Sequence, residues 1–535
     1  MARPATAARL SAHAAHRQHR ATIGLTASAL SVLLTFTVAL FGPSIVEPAL
    51  PGASGQPPWS LAVHPSPYLV IALAAAAVAA AAAGLTLTMQ AARIGWRFPP
   101  AALLLAGIGV AVLLAFIPPI GSADHLSYAA YGRIASLGHD PYTFTPAALA
   151  RLGDPIARSV HQFRSTPSVY GALATAAQIL AAKIGGTSVR LTVFVLSVIN
   201  VAAFAATGLL LHWLARGDRS RQLRAALLWT ANPLLLLVLV AGQHVDSQAI
   251  VFVIAALAAF SFCSLRGALL TRTVVPAAAA GALVGLGFAI KISMVLAGAG
   301  LATACLLVWR LRSQADSERR RTLAALGGLA AGFALAAGVS LAFWGVGSLS
   351  PSLKAGSMTS FGSPWRAIRA ALGLGLGTAV AEDAIKAAAV ALAVVLLALL
   401  LWPIATARGG TGRVPLLSPG GSHSWSWDGD LGIVCVAAFA IAWLFAWPYV
   451  LPWYDALGWP LVALLAWSEL DWLLLARTTV LAFGYLVGTG AALPSGLHWL
   501  QSVVREGITP AVLLVCLILL LRAVLPARAS AAMRS

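Results

Sequence analysis

Long apolar stretches broken by short polar ones dominate this chain. A spanning helix needs about 20 largely apolar residues. Candidate spans are Gly24 to Phe41, Tyr68 to Thr88, Ala101 to Ile117, Val189 to Leu211, Ala225 to Val240, Ser247 to Leu265 and Val274 to Ile290. They continue with Ile292 to Trp309, Thr322 to Trp344, Val380 to Trp402, Leu431 to Trp447, Ala456 to Trp467, Trp472 to Ala492 and Pro510 to Leu525. Some of these fourteen are short enough to require tilt or a broken helix. Thr166 to Ile184 is apolar as well, but counting it as a span would move the basic cluster Arg216 to Arg224 across the membrane. It reads instead as an interfacial or re-entrant helix buried against protein.

One stretch departs from this texture. Ser122 to Pro146, SADHLSYAAYGRIASLGHDPYTFTP, is polar and aromatic and follows closely on an apolar run. A helix starting at Asp124 places Asp124, Tyr128 and Tyr131 at i, i+4 and i+7, on one face. A carboxylate flanked by two phenols beside the membrane suits sugar binding, and an N-capping Asp with interfacial tyrosines is the plainer alternative.

The composition agrees with a membrane protein. Of 535 residues 60% are hydrophobic and 10% charged, with a mean hydropathy of +0.87, whereas soluble domains carry about 25% charged residues. The net charge of +19 could suggest nucleic acid, but the arginines mostly occupy short loops between apolar runs. That distribution is the positive-inside pattern, and it puts the N- and C-termini in the cytoplasm. Cys263, Cys305, Cys435 and Cys516 lie inside apolar runs without CxxC spacing, so neither a disulfide framework nor a metal site is indicated. Residues 1–22 read as a disordered basic cytoplasmic tail in which His13, His16 and His19 are solvated rather than ligating. Residues 23–525 form the multi-pass domain, with an external loop at 118–188 and a flexible cytoplasmic linker at 404–430; residues 526–535 form a second tail.

This topology leaves Glu47, Asp124, Asp140, Asp154, Asp246, Glu382, Asp383, Asp455 and Glu506 outside. Four polar islands interrupt apolar runs on that side: the Asp124 loop, Gly242 to Asp246, Lys291, and Pro452 to Asp455. Lys291 reads either as a snorkelling side chain or as a point charge for a phosphate. His244 and Asp246 fit a helical hairpin, or ligands for a phosphate, a sugar hydroxyl or a divalent ion. The tract Gly345 to Arg369, containing Lys354, Arg366 and Arg369, reads as a flexible connection or a substrate lid. Together these parts suit sugar transfer from a lipid-linked phosphate to a hydroxyl at the outer membrane face. Lys291 and arginines such as Arg366 would offset charge on the leaving phosphate, and Asp124 would take the acceptor proton. Tyr128, Tyr131, Trp453 and Tyr454 would pack on sugar faces or the polyprenyl chain. A single carboxylate without a covalent intermediate means inversion at the anomeric carbon.

The ordered set SADHLSYAAYGRIASLGHDPYTFTPAAL, ANPLLLLVLVAGQHVDSQAI, the Lys291 segment and VLPWYDALGWPL resembles the actinobacterial polyprenol-phosphate-mannose-dependent α-1,6-mannosyltransferases that build lipomannan cores. The resemblance implies an all-α, GT-C-like bundle of about 14 transmembrane helices with a long first catalytic external loop. It also implies a decaprenyl-type phosphomannose donor, a lipid-anchored α-1,6-mannan acceptor, a plasma-membrane location with an external active site, and Asp124 as base. Asp124, His244, Asp246, Lys291, Pro452, Trp453 and Tyr454 match its motif positions. The chain departs from it at Ser168 to Ala172, where the family reads PYGP, at Val245 in place of Asn, and at Leu451 in place of His.

Three other readings stand beside this one. They are a transporter built on the His/Asp/Lys set, a GT-C paralogue using another polyprenyl-phosphate sugar, and a non-catalytic membrane scaffold. No metal ligand set and no cofactor is assigned, with a divalent cation left open.

Overall fold

A computed structural model describes residues 3–264, 270–312, 316–405, 416–417 and 427–525. Among these the backbone is mostly helical and no strand is formed, with an isolated bridge between Ser44 and Glu47. Nine helices in the described residues are long and apolar enough to cross a membrane: Ala15–Phe41, Pro67–Arg93, Val189–Leu214, Arg219–Ala241, Thr271–Phe288, Ile292–Arg310, Asp316–Trp344, Thr378–Ala405 and Ser495–Val524. Pro100–Leu114, Ala172–Gly185, Asp246–Phe260 and Asp430–Ala446 are apolar but shorter. The protein is thus an all-helical, multi-pass membrane protein.

The helix inventory differs from the sequence expectation in three places. Ala456 to Trp467 does not form a span; it divides into a tight 3-10 turn, Pro452–Leu457, and a six-residue helix, Gly458–Ala463. Trp472 to Ala492 contracts to Glu469–Gly484. The first helix begins at Arg3, inside the stretch read as a disordered tail. Thr166 to Ile184 covers all but the last residue of the 14-residue helix Ala172–Gly185, about 21 Å long at 1.5 Å per residue and shorter than the roughly 30 Å hydrocarbon core. Most of the 404–430 linker and all of 526–535 lie outside the described residues.

The chain forms two compact units. The first comprises Met1–Thr166, Ala177–Ser247 and Tyr485–His498; the second comprises Pro167–Ala176, Gln248–Gly484 and Trp499–Ser535. In the first unit, Arg3–Phe41 and Pro67–Arg93 lie against each other along small residues. The alanine run contributes Ala74, Ala77 and Ala81 to the buried face, in line with Gly84. A Cβ on Gly84 would collide with Ser28 Oγ, and one on Gly24 would come within 2.8 Å of Thr88. The absent side chains let the two backbones approach, as is usual where lipid supplies no hydrophobic drive between helices. Ser66 caps the second helix by accepting from the Leu69 amide, and Pro67 occupies its first turn.

In the second unit, the tract 345–369, read in sequence as a flexible connection or a substrate lid, is largely helical. It folds into Leu349–Gly356 and the start of Pro364–Leu376 and is tied to the 446–450 segment. Ser360 Oγ accepts from the Val450 amide at 2.7 Å and donates to the Val450 carbonyl at 2.9 Å. Trp365 Nε1 donates to Ala446 O at 2.8 Å, and Trp447 Nε1 to Gly356 O at 3.0 Å. These four bonds lie within ordinary hydrogen-bond length and attach the glycine- and serine-rich tract to that segment.

Candidate functional site

The polar stretch at Asp124 is built in the first unit by clamping the residues just ahead of it. The Ile120 amide donates to Ala241 O at 3.0 Å and the Gly121 amide to Val46 O at 2.8 Å. Ser122 Oγ then accepts from the Asp124 amide at 3.1 Å, and the helix Asp124–Ser136 begins. The expected register holds, so Asp124, Tyr128 and Tyr131 do share a helix face. Both phenols, however, are buried at 3% and 2% exposure. Tyr131 donates its hydroxyl to Thr166 O at 3.0 Å. Burial first, and the Asp124 charge second, push its phenol pKa upward, so it stays a neutral donor.

The acids of this stretch do different work. Asp140 accepts from the Tyr142 amide and the Thr143 hydroxyl, at 2.9 and 3.0 Å, closing a local turn. Asp154 caps Ile156 and Ala157 and pairs with Arg133 Nε at 2.8 Å. Asp124 instead faces an imidazole from a distant part of the chain: its Oδ2 lies 3.5 Å from His244 Nδ1. The imidazole is buried and the carboxylate partly open.

His244 reaches that position from a turn between two helices. The run Leu236–Ala241 closes as a π-helical turn, Gln243 takes a left-handed φ of +54°, and Asp246 opens the helix Asp246–Phe260 at 4% exposure. π-Turns of this kind often mark functional sites.

Two further groups in this unit carried no functional reading from sequence. His125 is fully buried, and neither ring nitrogen has a hydrogen-bond partner among the described residues. Burial drives its pKa down to about 3, with the Asp124 charge opposing and His244 adding to the fall. The imidazole is therefore neutral at physiological pH. Glu47, 2% exposed, sits one residue after the carbonyl that accepts from Gly121. Burial raises it to about 9, against the pull of Arg190, so it is a neutral acid near pH 7. His125 directly follows Asp124, and that adjacency was the available signal. Glu47 had none beyond being an acid outside the spans.

The second unit gathers another set. Lys291 follows the helix Thr271–Phe288 in an extended conformation. Its Nζ lies 3.8 Å above the centre of the Tyr454 ring. Tyr454 stacks on Trp443 at 5.7 Å and meets Tyr449 and Trp453 edge-on at 6.0 and 6.5 Å. The lysine seen in the sequence as a snorkelling or phosphate-binding charge is thus held in a cation–π contact. Asp455, next in the same island, is fully buried and pairs with Arg477 Nε at 2.8 Å and Thr478 Oγ1 at 3.0 Å. Arg366 belongs to neither group: it lies 4.1 Å over Phe361 and 3.9 Å from Glu506, with Arg505 also 4.8 Å from the Phe361 ring. Among the described residues no three His, Cys, Asp or Glu side chains assemble for a metal.

The structure therefore brings Asp124 and His244 together in one unit, and Lys291, Trp453 and Tyr454 together in the other. Comparison with known proteins adds the family. Among solved structures, the archaeal oligosaccharyltransferase AglB from Archaeoglobus fulgidus, in complex with an inhibitory peptide and a dolichol-phosphate, aligns with a TM-score of 0.40 and 14% identity, over 79% of this chain and 56% of that one. Alpha-(1->6)-mannopyranosyltransferase A of Corynebacterium glutamicum is 27% identical over 136 residues, 25% of this chain and 27% of that protein. The matched stretch thus spans about a quarter of that relative's length. The family model of the alpha-(1->6)-mannopyranosyltransferase N-terminal domain matches residues 21–308, more than half of the chain. On that match, this chain belongs to the alpha-(1->6)-mannopyranosyltransferase family.

Proposed function

We propose that this protein transfers mannose, with inversion, from a polyprenyl-phosphate donor to a growing α-1,6-mannan on a lipid anchor. The reaction takes place at the outer face of the plasma membrane, with both termini in the cytoplasm. The observation that carries the reading is the Asp124 carboxylate, partly open and backed by the buried His244 at 3.5 Å, in a chain of this family.

The chemistry follows from one carboxylate. The acceptor hydroxyl oxygen attacks the anomeric carbon as its proton passes to Asp124. The bond from that carbon to the phosphate oxygen breaks, and the electron pair leaves with the polyprenyl phosphate. Lys291 is assigned to the leaving phosphate, since a compact cation favours the charge that grows there. Arg366 and Asp246 are assigned to substrate binding. Trp453 and Tyr454, in the aromatic group around Lys291, offer flat faces for the sugar or the polyprenyl chain. Tyr128 and Tyr131, read in sequence as packing on sugar or polyprenyl, are buried on the helix face they share with Asp124.

The test is purified protein in detergent with radiolabelled polyprenyl-phosphate mannose and mannan acceptors of graded length. Asp124→Asn should remain folded, bind donor and lose transfer, because an amide does not take the proton. Near-normal turnover in that variant would remove Asp124 as the base. Solute flux in proteoliposomes that ignores polyprenyl phosphates would favour a transporter.

A further inference from the structure

Gln243 holds a left-handed backbone at a buried position directly before His244, with φ +54° and 1% exposure. Glycine adopts that region freely, and asparagine and aspartate tolerate it through their short polar side chains; glutamine has neither advantage. A residue stays in such a conformation where its surroundings over-determine it, and such residues gather at functional sites.

The surroundings here are specific. Gln243 Nε2 donates at 2.9 Å to the carbonyl of Val193, within the helix Val189–Leu214. The Gln243 and His244 amides donate to Val240 O and Leu239 O at 3.0 and 3.1 Å, closing the turn from behind. The His244 ring lies back across Gly242: a Cβ there would stand 2.8 Å from Cδ2 and 2.9 Å from Nε2. Ala241 O accepts from Ile120, four residues before Asp124. Three consecutive residues, Ala241, Gly242 and Gln243, each supply one constraint, and their joint result is the imidazole against the carboxylate.

We propose that Gln243 is a positioning residue whose amide anchor on Val193 sustains the left-handed turn that keeps the His244 ring on Asp124. It acts through His244 and touches no substrate. The inference rests on Asp124 being the base of the proposed reaction.

The experiment uses the full chain in detergent with two variants. Gln243→Met keeps side-chain length but does not donate; Gln243→Gly relaxes the backbone but removes the anchor. Melting temperature checks that each is folded, and two readouts follow. In steady-state transfer, both variants should lose kcat roughly 10- to 100-fold with the donor KM unchanged. In a His244→Asn background the same changes should have no further effect on kcat, since coupled residues are non-additive. In carbethoxylation by diethyl pyrocarbonate, followed by mass spectrometry, His244 should react severalfold faster in both variants than in the wild type. A purely structural role would lower the melting temperature and act additively with His244→Asn. Additive losses, or unchanged His244 reactivity in both variants, overturn the proposal. Carbethoxylation needs no substrate, so it decides the role of the turn even where the wild type transfers no mannose, in which case the proposed function fails separately.

Discussion

His244 Nδ1 lies 3.5 Å from Asp124 Oδ2, with the imidazole side chain 1% exposed and the carboxylate side chain 17% exposed. The pair is therefore one-sided: the carboxylate is partly exposed, and the imidazole is enclosed. In the proposed reaction, proton transfer falls to Asp124 and His244 positions its carboxylate from behind.

His244→Asn keeps a short polar group but removes the ring from behind Asp124. The expected loss is roughly tenfold or more in kcat, with little change in the donor KM, because the contact supports the proton-transfer step. Steady-state transfer with saturating acceptor measures it. An unchanged kcat would make the contact incidental.

Lys291→Met should weaken donor binding or slow departure of the phosphate. The Tyr454 ring 3.8 Å below Nζ holds the cation in place, so Tyr454→Phe should retain function and Tyr454→Leu should raise the donor KM. A cation–π contact is worth about 0.5–2 kcal/mol, which corresponds to a change of roughly two- to thirtyfold. Titration with polyprenyl-phosphate mannose separates the three variants. Equal behaviour of Phe and Leu at position 454 would show that the ring face has no part in holding the lysine.

Glu47 makes a pH prediction. Its folded pKa is raised from 4.5 to about 9. Between those values the folded chain keeps a proton that the unfolded chain has released, so stability falls as pH rises through this window. Glu47→Gln removes that dependence. It should leave the melting temperature unchanged near pH 4 and raise it progressively toward pH 9, as read by thermal denaturation in detergent. A constant difference across pH would show that Glu47 is ionised in the fold.

Asp455 and Arg477 form a buried ion pair at 2.8 Å. Removing one partner leaves the other charge stranded, at a cost of about 3–5 kcal/mol. Asp455→Asn and Arg477→Met should therefore each lower stability strongly, while the double variant costs less than their sum. Melting temperatures of the three proteins close the cycle. Full stability with lost transfer in Asp455→Asn would instead give this acid a chemical role.

Apolar run length and helical spacing carried much of the fold into the linear chain. The membrane class, most of the spans and the shared face of Asp124, Tyr128 and Tyr131 were legible because each depends on residues within a few turns of one another. The ordered motifs around Asp124, His244, Lys291 and Trp453 also pointed to the family that the 21–308 match establishes. Ala456 to Trp467 reads as a span but folds into the end of a 3-10 turn and a six-residue helix, because apolar content alone does not distinguish a spanning helix from a short element buried in protein.

The roles of individual polar groups had no local signature. Asp455 reads in sequence like Asp124, an acid beside aromatic residues outside the spans. It differs because Arg477 neutralises it from another element, whereas Asp124 meets His244 and stays partly open. Nothing near Ser360 announces its bonds to Val450, and nothing near Gln243 announces its anchor on Val193. Periodicity reports which face of an element is apolar; it is silent on which partner, scores of residues away, satisfies a buried donor or charge. That assignment follows from chain crossings and desolvation, which arise once the helices have met.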